Sequence, residues 1–309
     1  SKILSAGYRI PLQNLTGDLG FYMYQQIYPL LGMILTLSLY GFPTAVSKLS
    51  SERKALDKGR SLKSFYGPVF SILLGINGII FVLVFYFSET MATFIGDERL
   101  TNIYQSASFL FLLIPFTVLL RGVFQGNLDM KPIAYAQVGE QFVRVSIIIF
   151  AAYLFFVNKI PLVGIGYMAV LASLGGTVIA TLMLGFYFIK QKPISSESYE
   201  VPWSHYIRTI CFFGIVASMN HMVLLLIQTA DVFTLVPNLI EYGLTETEAM
   251  AAKGILDRGQ PLIQLGTVLG SSFALSLIPM ITSNRSALKS PVVARQMHLA
   301  INVTFYLAT

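Results

Sequence analysis

An all-α polytopic membrane bundle is the fold class this sequence predicts. Three observations point there: only 12% of the residues are charged while 55% are hydrophobic, the mean hydropathy is +0.68, and the apolar residues gather in long unbroken runs. A soluble domain carries roughly 25% charged residues, so this chain could not cover its surface with polar groups in water. A helix needs about 20 apolar residues to cross a bilayer, and these runs reach that length. They are too long and too uniformly apolar for the short alternating strands of a closed barrel. Helices are then the way to satisfy the backbone in lipid.

The runs follow in order as Phe21–Val46, Tyr66–Phe87, Ile103–Leu120, Ile133–Phe156, Val163–Ile189, Ile207–Val236, Pro261–Ile281 and a last one from Gln296 to Thr309. Ser1–Pro11 reads as the tail of a preceding helix. The polar stretch from Lys190 to Tyr206, with Trp203 as an interfacial anchor, reads as a cytoplasmic linker between two bundles. The expected organisation is first-lobe helices over 1–190, a linker over 191–206 and the start of a second lobe over 207–309, truncated at both ends.

Net charge is +6, and the basic residues lie between apolar runs, which is loop bias rather than a nucleic-acid surface. Lys48, Arg53, Lys54, Lys58, Arg60, Lys63, Arg121, Lys190 and Arg285 fall on one side if the loop after Val46 is cytoplasmic. Arg9, Arg99, Lys159, Lys253 and Arg258 fall on the other. The lone Cys211 and the scattered His205, His221 and His298 offer neither a disulfide nor a metal cluster. No nucleotide-binding or hydrolase motif is present, so neither a cofactor nor enzymatic activity is expected.

Residues 29–56 and 261–288 align without a gap. Both open Pro-Leu and close S-x-R-x-A-L: Ser51, Arg53, Ala55 and Leu56 match Ser283, Arg285, Ala287 and Leu288. An even number of spans between the copies keeps their orientation, so this is a parallel repeat about an axis along the membrane normal, a transporter plan.

A charge at the centre of a span costs about 2.5–3.5 kcal/mol on insertion scales, so each one asks for a reason. Glu140 and Arg144 share a helix face at i, i+4, as a self-neutralising packing pair or as a gate. Asp231, one turn after Gln228, can bind a cation or proton, or can hydrate at the outer end of its span. Lys2, Arg9 and Arg258, with Asp18 nearby, stand on equivalent elements of the two halves. They can line one cavity suited to an anionic headgroup or can snorkel to the interface. Pro29, Pro43, Pro115 and Pro261 permit bending. Gly164, Gly166, Gly175 and Gly176 allow close helix packing.

The stretches YRIPLQNLTGDLGFYMYQQIYPLLGMILTLSLYGFPTAVSKL, LRGVFQGNLDMKPIAYAQVGEQFVRV and GILDRGQPLIQLGTVLGSSFALSLIPMIT resemble the polysaccharide-transporter group of the MOP flippase superfamily, in its branch of MurJ-type lipid II flippases and stage V sporulation proteins. The resemblance implies a two-lobed MATE/MOP-like bundle of about fourteen helices, of which this chain holds the end of the first through part of the ninth. It implies a multi-pass protein of the bacterial plasma membrane that flips an undecaprenyl-pyrophosphate-linked glycan, lipid II or another repeat unit, by alternating access. The family's first-helix basic positions fall on Lys2 and Arg9, the acid opening its second helix on Asp18, and the base opening its eighth helix on Arg258. A further basic position late in the second helix has no counterpart, because Leu37, Ser38 and Leu39 stand there, and this leaves the glycan open. The implied partners are the lipid-linked oligosaccharide, membrane lipids and a monovalent cation or proton acting through Asp231, Glu140 and Arg144. A monomer with no nucleic acid is expected. The rival readings are a cation-coupled multidrug exporter of the same superfamily, a membrane glycan transferase or ligase, and a non-transporting scaffold.

Overall fold

The computed structural model describes residues 7–55, 60–191 and 200–259, together with Asn302. Lys2, most of the linker and the second copy of the repeat, at 261–288, lie outside the described residues. Every described element is helical: α1 (Arg9–Thr36), α2 (Phe42–Ala55), α3 (Gly67–Tyr86), α4 (Ser88–Ile95), α5 (Thr101–Ser108), α6 (Leu110–Gly126), α7 (Lys131–Phe156), α8 (Leu162–Gln191), α9 (Trp203–Glu241) and α10 (Glu246–Asp257). Six stretches are long and apolar enough to cross a membrane. The protein is a multi-pass cell-membrane protein.

α1 is two limbs rather than one rod. Gly17 has φ 65° and ψ −167°, a region open essentially to glycine alone. Tyr8 and Tyr24 would stand about 24 Å apart on a straight helix, yet their ring centroids are 6.1 Å apart. The chain therefore doubles back at Gly17, and limb 9–16 lies against limb 18–36. The remnant of a first helix runs on past Pro11, to Thr16. The next span is continuous from Asp18 through a π-helical turn at Leu37–Gly41 into α2. Such turns release backbone groups from the helical ladder and recur at functional sites.

α7 packs along α8, α2 along α6, and α1 against α7, α8, α9 and α10. Small residues set the close approaches. A Cβ at Gly122 would lie 2.4 Å from Val46 Cβ, and one at Gly126 2.8 Å from the Ser47 carbonyl oxygen; the two glycines form a G-x-x-x-G pair that brings α6 onto α2. Gly176 does the same for α8, since its Cβ would sit 3.0 Å from the Glu140 carbonyl oxygen. Apolar side chains that stay exposed on these spans, such as Ile79 and Val82 on α3 and Leu182 and Phe186 on α8, suit a lipid surround.

Two loops of the expected topology are corrected. Arg121, read as a cytoplasmic loop cation, is 1% exposed within α6, because that helix continues past Leu120 to Gly126. The supposed outer loop around Asn238–Ile255 contains α10, opened by a capping box in which the Thr245 side chain and Glu248 satisfy each other's backbone N–H groups. Burial of its inner face takes Lys253, read as an outer-loop cation, down to 2% exposure.

Candidate functional site

The helix ends that the charge pattern assigns to the outer side are tied together. Arg258, directly after α10, forms an ion pair with Asp18 at the start of the second limb of α1. Beside it Gly254 lies so close that a Cβ would approach the Asp18 carbonyl oxygen to 2.3 Å. Arg99 grips Asp97 with two hydrogen bonds, at 2.7 and 3.0 Å, and reaches Glu246 of α10 at 3.4 Å. Tyr22, Val236, Ala249 and Met250 fill the space beneath. At the opposite end Glu52 of α2 bonds His205 of α9 at 2.8 Å, and Arg53 donates to the Tyr206 hydroxyl at 2.9 Å. Each of these long-range pairs joins residues that the charge pattern puts on one side of the membrane.

Below the outer ties lies Arg9, 1% exposed. Its guanidinium carbon sits 4.2 Å from the centroid of the Tyr28 ring, as a cation–π pair requires. Tyr8 and Tyr24, whose hydroxyls bond each other, complete a tyrosine cage. Nε and Nη1 of Arg9 have no hydrogen-bond partner among the described residues, and no described carboxylate is within salt-bridge distance. A buried charge without a counter-ion is costly, so this cation stands out from the packing around it.

Next to the cage is a narrow polar crevice lined by Gln25, Tyr28, Gln228, Asp231, Lys253 and Asp257. Lys253 and Asp257 pair at 3.2 Å, i to i+4 on α10. Asp231 and Arg9 both lie close enough to act on the charge of Asp257. The expected lone acid, Asp231, is thus one member of a charged cluster. Lys253 and Asp257 were not among the expected site residues; the T-x-x-E box at Thr245 was the signal that could have placed them on a helix.

Glu140 and Arg144 do pair, at 2.9 Å, but not as a self-neutralising couple. Glu140 Oε2 also takes Nη2 of Arg121 at 2.5 Å, and Nη1 of Arg121 donates to the carbonyl and hydroxyl oxygens of Ser38 at 3.0 and 2.8 Å. One carboxylate therefore serves two guanidiniums, and the second of these anchors the π-helical turn.

Asp18 and Arg258 are thus brought together, and Arg9 and Asp231 both lie beside Tyr28. Glu140 and Arg144 belong to a second cluster, and Arg144 shares a cavity with the cage tyrosines. Lys2 lies outside the described residues.

Comparison with known proteins places this architecture. The family model described as polysaccharide biosynthesis protein matches residues 1–285. The uncharacterized membrane protein YabM of Bacillus subtilis (strain 168) is 37% identical over 287 residues, covering 91% of this chain and 53% of that protein. The lipid II flippase MurJ of the same organism is 24% identical over 99% of this chain and 60% of its own length. Stage V sporulation protein B, also from that organism, is 29% identical over 63% of this chain and 37% of its own length. The chain spans little more than half the length of YabM and MurJ. Among solved structures, an inward-facing multidrug-resistance MATE family transporter of the MOP superfamily matches with a TM-score of 0.64 at 14% identity, over 99% of this chain and 68% of that one, which is a likeness of fold. Family model and relatives agree: the chain belongs to the polysaccharide biosynthesis protein family.

Proposed function

We propose that the chain is the cation-bearing part of a flippase that carries a lipid-linked, pyrophosphate-bearing glycan precursor across the membrane, lipid II or another polysaccharide repeat unit. The observation that carries this reading is Arg9, a fully buried guanidinium with two nitrogens unpartnered among the described residues, held in place by three tyrosines. Planar guanidinium donors match phosphate oxygens as bidentate forks, and a cation already desolvated loses little more solvation when the anion arrives. The Asp18–Arg258 pair and the tight seat of Gly254 serve as an outer gate. Opening it frees Arg258 to follow the headgroup toward the outer leaflet, while the lipid tail stays in the bilayer.

A cation or proton acts through Asp231 and Asp257, with Lys253 as the resident counter-charge. Moving one charge across 100 mV is worth about 2.3 kcal/mol, enough to bias a two-state bundle. The multidrug-exporter alternative favours unpaired acids in the cavity; here Asp257 pairs with Lys253 and Asp18 with Arg258, and Asp231 is the one crevice acid with no ion pair among the described residues. The test is to reconstitute the full-length protein into vesicles with fluorescent lipid-linked precursors. Flipping of one of them, lost in Arg9→Gln at equal protein level, is the expected result. Transport of cationic drugs instead, unaffected by Arg9→Gln, would reject the reading.

A further inference from the structure

A second polar centre adjoins the Arg9 cage, whose three tyrosines, Tyr8, Tyr24 and Tyr28, also line it. A cavity of about 70 Å³ lies between α1, α7 and α8, with Tyr24, Tyr28, Gln141, Arg144 and Ser173 among its lining. A cavity of this size holds a few waters or one small ion. Leu31 and Ile148 form an apolar wall. Leu35 and Ala169 extend that wall, and Gln141, Arg144 and Ser173 present hydrogen-bond donors opposite the tyrosines.

The charges around it do not balance. Arg121 and Arg144 both rest on Glu140, and all three are buried, at 1%, 9% and 2% exposure. No second carboxylate pairs with either arginine among the described residues, so the cluster carries one net positive charge inside the lobe. Arg121 spends Nη1 on Ser38 and Nη2 on Glu140. Arg144 gives only Nη2 to Glu140, and its Nε has no partner, although its side chain lines the cavity. Water can satisfy hydrogen bonds there but cannot cancel the charge, and an uncompensated buried ion is far more costly than an unpaired dipole.

We propose that this cavity binds one small monovalent anion, a halide or a single carboxylate group, on Arg144 with Gln141 and Ser173 as supporting donors. Free chloride and an acidic sugar or peptide carboxylate in a headgroup offer the same chemistry. The bound anion neutralises the cluster and steadies the line Arg144–Glu140–Arg121–Ser38 that ends on the π-helical turn. The inference rests on the Arg121–Glu140–Arg144 cluster and its cavity, not on the pyrophosphate role proposed for Arg9.

The experiment uses the full-length protein in lipid nanodiscs, with its unfolding midpoint followed at constant ionic strength in a bulky sulfonate salt. Sodium chloride, sodium acetate and sodium glucuronate are each titrated in. A saturable rise with chloride assigns the site to free halide; a rise with acetate or glucuronate alone assigns it to a headgroup carboxylate. Gln141→Glu, nearly the same shape, places a fixed carboxylate in the cavity and is expected to abolish the response while keeping the midpoint at least at the anion-bound wild-type value. Crystals grown in bromide should show its anomalous signal beside Arg144 in the wild type if halide is the ligand. No response of the wild type to any of the three anions, or an unchanged response in Gln141→Glu, overturns the proposal.

Discussion

Arg121 and Glu140 meet at 2.5 Å in the interior of the first lobe, with 1% and 3% of their side chains exposed. Because Glu140 also holds Arg144, removing its charge strands two guanidiniums rather than one. Breaking a buried pair costs about 3–5 kcal/mol. Glu140→Gln is expected to lose at least that much stability and most of its folded yield, and Arg144→Gln distinctly less, since Glu140 then keeps Arg121. Arg121→Lys should resemble Glu140→Gln, because one ammonium cannot span both Ser38 and Glu140 as the guanidinium fork does. Unfolding midpoints of the three full-length variants in detergent would check the order. Equal midpoints for Glu140→Gln and Arg144→Gln would show that Arg121 draws nothing from the pair.

Hydrophobic runs made the helices legible, because lipid imposes one simple rule on every residue of a span. The same uniformity hid where spans end. Arg121 looks like a loop cation when burial is inferred from charge alone, and its partner Glu140 lies in another helix, a pairing that no local pattern encodes. α10 was hidden for the opposite reason: ETEAMAAKGILD is too polar for a span, and its only local mark is the capping box at Thr245. Gly17 could have announced the hairpin between the limbs of α1, since a glycine followed by Asp18 punctuates an otherwise helical run. The likeness of Arg9, Asp18 and Arg258 to family positions led to residues that the fold does gather near one another. Lys253 and Asp257 escaped because they depend on which face of α10 is buried.

The outer gate gives a direct test. Asp18 and Arg258 form an ion pair, so cysteines at both positions, with Cys211 replaced by serine, should cross-link readily under mild oxidation. Cross-linked protein is expected to lose transport and regain it on reduction. Gly254→Val should act in the other direction. Its side chain cannot fit against the Asp18 carbonyl, overpacking of this kind costs typically about 1–3 kcal/mol, and the cross-link yield should fall. Full transport by the cross-linked protein would remove the gate.

Sidedness follows from the paired ends. Single cysteines at Lys54 and Glu200 should react with impermeant maleimide only after the cytoplasmic face is opened. Those at Glu98 and Tyr242 should react in intact cells. Asp97, only 2% exposed, should label poorly from either side, which makes it an internal control on the described fold. Labelling of Lys54 in intact cells would invert the orientation.

Arg9 separates function from packing most sharply. A residue kept for stability costs stability when removed, as Glu140 should. Arg9 is different: it is fully buried, stacked on Tyr28 and without a paired carboxylate among the described residues. Replacing a buried charge by an apolar side chain of similar volume is often neutral or stabilising by about 1–4 kcal/mol, and sites that bind ligands commonly trade stability for activity. Arg9→Met is therefore expected to keep or raise the unfolding midpoint of the full-length protein while abolishing flipping. Arg9→Lys should retain part of the transport, since the charge survives but the planar fork and its stacking do not. Tyr28→Phe should stay near wild type and Tyr28→Leu should not, because the ring face rather than the hydroxyl meets the guanidinium. If Arg9→Met instead lowers the midpoint as far as Glu140→Gln, and transport falls only in step with folded protein, Arg9 is a structural cation and the phosphate-binding role moves elsewhere in the cavity.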